Sequence, residues 1–410
     1  MYKIDDCFSR ITKFYNFSLK ERYKILIKKI NISKKNLLPF LPITGLNPLY
    51  SNFMIENSIG VFGIPIGIVL NFIVDDNPVI IPMATEEPSV IAACSYIGYI
   101  VGKSRGFHTK VNRPIMIGQM QITKLKNIYK KRNIINMHNA LLIKMINRNS
   151  YNMVHRGGGC INIKTFIINS SINKYHMVYD DYKAMLIIHF IIDSRNSMGA
   201  NLINEAIEFI TPFIKKLISS NVGIRIISNL SQQRLARAWC EIPYKFLSKK
   251  NNINDGRNIA KKIVEAYRFA IRDPYRACTH NKGIMNGIDS IAITTGNDWR
   301  ALEAGAHAYA SRSGKYTSLT TYVINDIYKI LKCYIEIPIA IGVIGGSTKI
   351  HPTVLTVQKI LGIFSQNTMK LSGLMASIGL AQNLAALKAL ANEGIQKGHM
   401  LLHSKKIKIN

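Results

Sequence analysis

Lys282 and Asp298 stand sixteen residues apart on either side of one apolar run. An ammonium and a carboxylate brought together can hold developing negative charge and steer a proton. Lys282 falls among Asn281, Gly283, Asn286 and Gly287, a turn-rich composition. Residues 288–294 read as a buried β-strand, which Thr295, Gly296 and Asn297 break. Asn297 or Asp298 then suits the N-cap of an amphipathic helix through Trp299, Leu302, Ala306 and Tyr309. The strand at 288–294 alone would hold its two ends about 20 Å apart, so lysine and aspartate meet only where the chain doubles back. A solvated lysine and a capping aspartate describe the same residues equally well.

Other stretches carry chemistry-bearing types. In IPMATEEPSVIAACSY the adjacent Glu86 and Glu87 precede a proline and a small-residue helix, whose first turn they would occupy and whose dipole they would favour. IENSIGVFGIPIG sets three glycines among branched side chains, as where a ligand or a second subunit approaches main chain or where a turn joins two strands. RGGGCINIKTF is a triple-glycine turn into a strand, and HFIIDSRNSMGANLINEA a strand followed by a helix. Neither is GxGxxG, so a Rossmann nucleotide site is not supported.

The chain has 410 residues, 48% hydrophobic and 19% charged, enough for two domains and unlike a disordered composition. Its net charge of +31 would suggest nucleic acid or an anionic membrane. The lysines and arginines are, however, scattered with isoleucine and asparagine throughout, the pattern an AT-rich coding sequence leaves. No nucleic-acid partner is expected; mild attraction for a phosphate-bearing substrate is. Six separated cysteines with no CxxC pair argue against a metal site or disulfide framework and for a reducing cytosol. The best membrane candidate, residues 59–74, contains Gly60, Gly63, Pro65, Gly67 and Asn71 and reads as buried strand and turn, so no membrane anchor is expected.

HNKGIMNGID and TGNDWRALEAGAHAYA closely resemble signature stretches of hydroxymethylglutaryl-coenzyme A reductase in its short class II form, with similarity from about Asn36 to Ser404. The resemblance implies an α+β fold. A large mixed domain (1–111 and 223–390) would carry an inserted smaller non-Rossmann nicotinamide-binding domain (112–222) and a shortened C-terminal flap (391–410). It implies catalytic roles for Glu87, Lys282, Asp298 and His399, the last on the flap as proton donor to the departing thiolate. A glutamate donates near neutral pH only where its pKa is raised, which burial does and a nearby lysine opposes. Substrate contacts would come from Ser89, Arg276, Thr279, Asn286, Gln382 and His403, with Glu56 and Asn57 at a shared dimer interface near bound coenzyme A. Arg276, a planar and permanently charged fork, would take the free carboxylate of the acyl group. The loop IGVIGGSTKIHPTV, with a structural His351, would lie close to the lysine loop.

The same resemblance places the nicotinamide cofactor on Gly157, Gly158, Gly159, Asn162, Lys164, Asn196, Met198, Gly199 and Asn201. Two positions depart from the family pattern. Asn196 replaces a usual aspartate, and Asn162 stands where relatives preferring NADH carry an aspartate that binds the ribose hydroxyls. A carboxylate repels a 2′-phosphate, so Asn162 with Lys164 on the same strand face leans towards NADPH over NADH. The implied activity is the four-electron reduction of hydroxymethylglutaryl-CoA to mevalonate and coenzyme A, or its reverse, by a cytoplasmic homodimer without metal. A decayed paralogue that binds acyl-CoA without turnover is the alternative, on the altered cofactor motif and the short tail.

Overall fold

Apolar periodicities of about 3.6 and of 2 alternate along the chain, and they fold into a mixed helix and strand architecture. The computed structural model describes residues 9–40, 46–123, 125–169, 184–348 and 350–392. Two units result, Met1–Val111 with Leu235–Asn410, and Asn112–Arg234.

The first unit opens with helices α1 (Leu19–Ile30), α2 (Lys34–Leu37) and α3 (Pro48–Met54). Strands β1 (Ile66–Val74) and β2 (Asn77–Ala84) follow as an antiparallel hairpin, then α4 (Val90–Gly102) and β3 (His108–Val111). The second unit contains β4 (Ile115–Ile122), α5 (Ile128–Met137), α6 (Asn139–Asn149), α7 (Tyr151–His155), β5 (Gly159–Asn169), β6 (Ala184–Asp193), α8 (Ala200–Ile218) and β7 (Val222–Ser228). Its sheet has the antiparallel order β5-β6-β4-β7. Because β7 completes that sheet against β4, the unit extends to Arg234 and not to the expected residue 222.

The chain then returns to the first unit with β8 (Leu235–Pro243), α9 (Tyr244–Leu247), α10 (Ile253–Arg272), α11 (Pro274–Thr294), α12 (Trp299–Ala310), β9 (Thr320–Asn325), β10 (Ile330–Pro338), α13 (Pro352–Leu361) and α14 (Thr368–Asn392). An antiparallel sheet β3-β8-β10-β9 backs the core, which α4, α10, α11 and α14 fill with Ile97, Ile263, Ile284, Ile288 and Leu380 among others.

Two expectations change. Residues 288–294 form the end of α11, not a strand, since Ile284, Ile288 and Ile291 fall on one buried side at helical spacing. Asp273 caps this helix by accepting from the Tyr275 amide, and Pro274 occupies its first turn. Gly287 and Gly379 let α11 and α14 close on each other: a methyl on Gly287 would meet Ile378 Cγ2 at 2.8 Å, and one on Gly379 would meet Ile288 Cδ1 at 2.9 Å. Second, the stretch before β1 is not buried, with Ile59, Phe62 and Ile64 exposed, whereas Val69, Phe72 and Val74 within β1 are fully covered. The one described helix long and apolar enough to cross a membrane is instead Thr368–Ala391, and 72% of its most apolar window is buried in the protein.

Candidate active site

Helix α11 presents Arg276, Thr279, Lys282, Asn286 and Asp289 at intervals of three or four residues, so they form one stripe on its less buried side. Opposite the stripe, the β2–α4 connection delivers Glu87. Pro88 and a left-handed Ser89 (φ 77°) postpone the start of α4 to Val90, so Glu86 and Glu87 lie in a bend and not in the first helical turn. A non-glycine residue held in that region marks local backbone strain, which concentrates at working sites. The Glu87 amide donates to Thr85 Oγ1 at 3.1 Å, which fixes the bend.

Lys282 Nζ lies 2.9 Å from Glu87 Oε2, and Asn286 Nδ2 donates to the same oxygen at 3.3 Å. Residues nearly two hundred positions apart thus form one ion pair, half open to solvent, with side-chain exposures of 60% and 38%. In that setting the pair itself adds little stability. It sets an ammonium and a carboxyl group side by side on a partly open face. Arg276 is half-buried, and loss of solvent lowers its pKa while leaving it charged. One turn on, His280 is buried against Thr320 Oγ1 (2.7 Å) and Ser318 Oγ (2.8 Å). Burial first, then the charge of Arg276, hold it down to about 3, so it stays neutral.

Asp298 caps α12, accepting from the amides of Arg300 (3.0 Å) and Ala301 (3.3 Å) and pairing with Arg300 Nε. Among the described residues no hydrogen bond or ion pair joins it to Lys282 or Glu87. Twelve residues of helix separate Lys282 from Thr294, about 18 Å of axis. The loop of residues 341–354 is tied beside Asp298, with the Gly342 amide donating to Asn297 Oδ1 at 2.8 Å, and not beside the lysine as expected. His351 accepts from the Thr353 amide as the N-cap of α13. Gln382 is buried on α14 with the Cys94 thiol 2.9 Å from its Oε1. Glu56 and Asn57 form the exposed turn after α3. His399 and His403 lie outside the described residues.

The second unit holds a separate cluster. Gly157 (φ 80°) and Gly159 (φ 120°) need positive φ, and a methyl on Gly158 would sit 2.5 Å from the Asp193 carbonyl. Asn162 and Lys164 follow on β5, where Asn162 Oδ1 accepts from the Ile163 amide at 2.8 Å and Lys164 is exposed. Gly199 (φ 102°) is the N-cap of α8, which has neither a side-chain cap nor an acidic first turn. Asn196 and Met198 are half-buried in the preceding turn, and Asn201 is exposed on α8.

Sequence reasoning missed what shapes this turn. Fully buried Asp193 pairs with Arg113 (2.9 Å) and accepts from the Arg195 amide (3.0 Å), while Arg195 Nε donates to the Gly157 carbonyl (2.7 Å). Arg234, also buried, donates to Ser194 Oγ (3.1 Å) and to the Ser197 and Met198 carbonyls (both 3.3 Å). Burial holds the Arg234 guanidinium down to about 9, against the opposing charge of Asp193. Arg234→Met should therefore cost about 1–3 kcal/mol by leaving these buried acceptors without their donor, while Asp193 keeps Arg113, read as a lowered urea midpoint; a loss under about 0.5 kcal/mol would mean the turn holds itself.

Residues 18–404 match the family model described as hydroxymethylglutaryl-coenzyme A reductase. The chain belongs to this family. It is 42% identical to the 3-hydroxy-3-methylglutaryl-coenzyme A reductase of Archaeoglobus fulgidus, over 98% of this chain and 87% of that one. It is 32% identical to the probable reductase of Borreliella burgdorferi, over 97% and 88%. Among solved structures, the class II reductase of Streptococcus pneumoniae bound to NADPH superposes with a TM-score of 0.86 at 34% identity, covering 93% of this chain and 99% of that one. The match begins upstream of Asn36, so α1 belongs to the shared fold of the reductase family.

Proposed function

We propose that the chain reduces 3-hydroxy-3-methylglutaryl-CoA to mevalonate and coenzyme A with two equivalents of a reduced nicotinamide, as the class II reductases do. The observation that carries this is the Lys282 and Glu87 pair at 2.9 Å on the stripe of α11. Reduced nicotinamide supplies hydride when bound. Lys282 holds the negative charge that develops on the thioester oxygen and, in the second reduction, on the aldehyde oxygen. Glu87 passes a proton to the new alcohol, with Asn286 orienting its carboxyl. Arg276 takes the free carboxylate of the acyl group, Ser89 and Thr279 bond its remaining oxygens, and Gln382 and His403 serve the coenzyme A arm. His399 protonates the leaving thiolate.

The uncapped start of α8 fits a pyrophosphate, since its first amides meet no side-chain cap, while the amides of Gly157 and Gly158 are donated to the Val154 and Met153 carbonyls and shape the turn beside it. Asn196, Met198 and Asn201 flank it. With no carboxylate at Asn162 and an ammonium two residues on at Lys164, NADPH is the preferred cofactor. Asn162→Asp should shift the NADPH to NADH ratio of kcat/KM towards NADH by roughly tenfold or more, from a like charge near the 2′-phosphate; an unchanged ratio would remove Asn162 from the ribose site.

The exposed apolar run through Phe53, Ile59 and Phe62, beside Glu56 and Asn57, supports a homodimer whose active sites are shared. Asp298 then reaches the Lys282 and Glu87 pair of a second copy. The cytoplasm suits such an assembly.

The test is direct: purified chain with hydroxymethylglutaryl-CoA should oxidise NADPH and release free thiol, two cofactors per thiol. Binding of coenzyme A without oxidation of either nicotinamide would establish the decayed paralogue instead.

A further inference from the structure

Much of the buried side of α11 is aliphatic, with Ile284, Ile288 and Ile291 packed into the core. The turn that carries Lys282 is held differently. His280 and Asn281, which immediately precede the lysine, are 1% and 0% exposed and are tied by hydrogen bonds to the chain entering β9. Asn281 Nδ2 donates to the Thr317 carbonyl at 2.9 Å, and its Oδ1 accepts from the Leu319 amide at 3.1 Å. His280 meets the Thr320 and Ser318 hydroxyls through Nε2. From α14, Asn383 Nδ2 donates to the His280 carbonyl at 3.1 Å, while its Oδ1 accepts from the hydroxyls of Thr320 (3.0 Å) and Tyr322 (2.8 Å). The β9 approach and Asn383 thus grip one turn of α11 from outside the helix.

One proton arrangement serves these contacts. The Thr320 hydroxyl gives its proton to Asn383 Oδ1, and the Ser318 hydroxyl gives its own to the Thr320 carbonyl (2.9 Å), so each turns a lone pair towards His280. The imidazole proton therefore sits on Nε2, shared between the two oxygens. Nδ1 is buried with no hydrogen-bond partner among the described residues, which suits the bare nitrogen of a neutral ring, whereas an N–H there would be stranded.

Two residues of α-helix turn a side chain through about 200°. Lys282 accordingly faces the opposite side of α11 from His280, with its side chain 60% exposed. The buried ring acts on the Lys282 and Glu87 pair only through the helix. Apolar packing holds a helix down but prefers no particular angle, whereas a hydrogen bond weakens steeply off line. A rotation of about 10° moves a side-chain tip about 6 Å from the axis by about 1 Å, a displacement that costs catalysis.

We propose that His280 is a positioning residue of the reductase site: by donating from Nε2 to Ser318 and Thr320, it fixes the rotation of the α11 turn that presents Lys282 to Glu87. This rests on the reading of Lys282 given above.

The experiment compares full-length wild type, His280→Gln and His280→Asn, with rates taken per folded protein. Glutamine carries its amide N–H about as far along the side chain as Nε2, and asparagine falls one carbon short. His280→Asn should lose about tenfold in kcat with KM for the thioester changed by less than about threefold, and His280→Gln should recover most of that loss. In a Lys282→Ala background the same His280→Asn change should alter kcat by less than about twofold, because the group it positions is gone; a general loosening of the fold costs the same factor in both backgrounds. Should His280→Asn not fold, Thr320→Val removes the hydroxyl from the far side of the same bond and enters the same cycle, with Thr320→Ser as its rescue. An active wild type overturns the positioning role if the asparagine variant keeps full kcat, if glutamine is as impaired as asparagine, or if the loss is equal in both backgrounds. A wild type that does not turn over hydroxymethylglutaryl-CoA overturns the reductase reading and the role with it.

Discussion

Lys282→Ala is expected to lower kcat by about 10²–10³-fold, the scale of removing a preorganised charge from a developing oxyanion. The side chain is 60% exposed and its ion pair half open, so the protein should keep its fold and melting temperature. KM for the thioester should change little, because the contacts proposed for Arg276 and the coenzyme A arm are untouched. Steady-state rates with NADPH measure both parameters. A variant that keeps more than about a tenth of wild-type kcat would show that another group bears the oxyanion charge. Glu87 loses its charged partner in this variant and keeps Asn286, so any residual rate reports on the acid without the ammonium.

The second expected result concerns Asp298. Asparagine is also a good N-cap, so Asp298→Asn should leave α12 intact while abolishing the carboxylate. Alone, Lys282→Ala and Asp298→Asn should each be nearly inactive. Under the proposed homodimer with shared sites, chains co-expressed with different tags should regain roughly a quarter of wild-type activity, since half the dimers would be hybrid and each hybrid would restore one of two sites. Hybrid dimers isolated through both tags and still inactive would place Asp298 with the Lys282 of its own chain.

Glu87, Lys282 and Asn286 of the candidate site were named from the sequence and meet in the structure, but their local geometry was not legible. The branched residues Ile288, Ile291 and Ile293 raise strand propensity, and Gly283 with Gly287 mimic turn composition; packing against α14 overrides both and makes the segment helical. The same helix turns an apparent scatter of Arg276, Thr279, Lys282 and Asn286 into a stripe. Glu87 was identifiable, though its bend was not, because nothing in the spacing announces the left-handed Ser89. The 222 boundary failed because β7 alone looks like the start of a new unit, and only its pairing to β4 shows where it belongs. Arg234 and Asp193 escaped notice since one more arginine in a chain of net charge +31 carries no signal until its burial is known. The Glu303 and His307 pair did have a signature, spacing of four within TGNDWRALEAGAHAYA.

The glycine seam between α11 and α14 bears on how this chain has changed over time. Mutational pressure that enriches lysine, asparagine and isoleucine can swap one aliphatic for another across the core and decorate the outside without harm. At Gly287 and Gly379 it meets resistance, because any replacement adds a carbon less than 3.0 Å from the Ile378 or Ile288 side chain of the facing helix, which must then shift. Selection at those two positions acts on the spacing of helices, so they should stay fixed even in descendants that no longer turn over substrate.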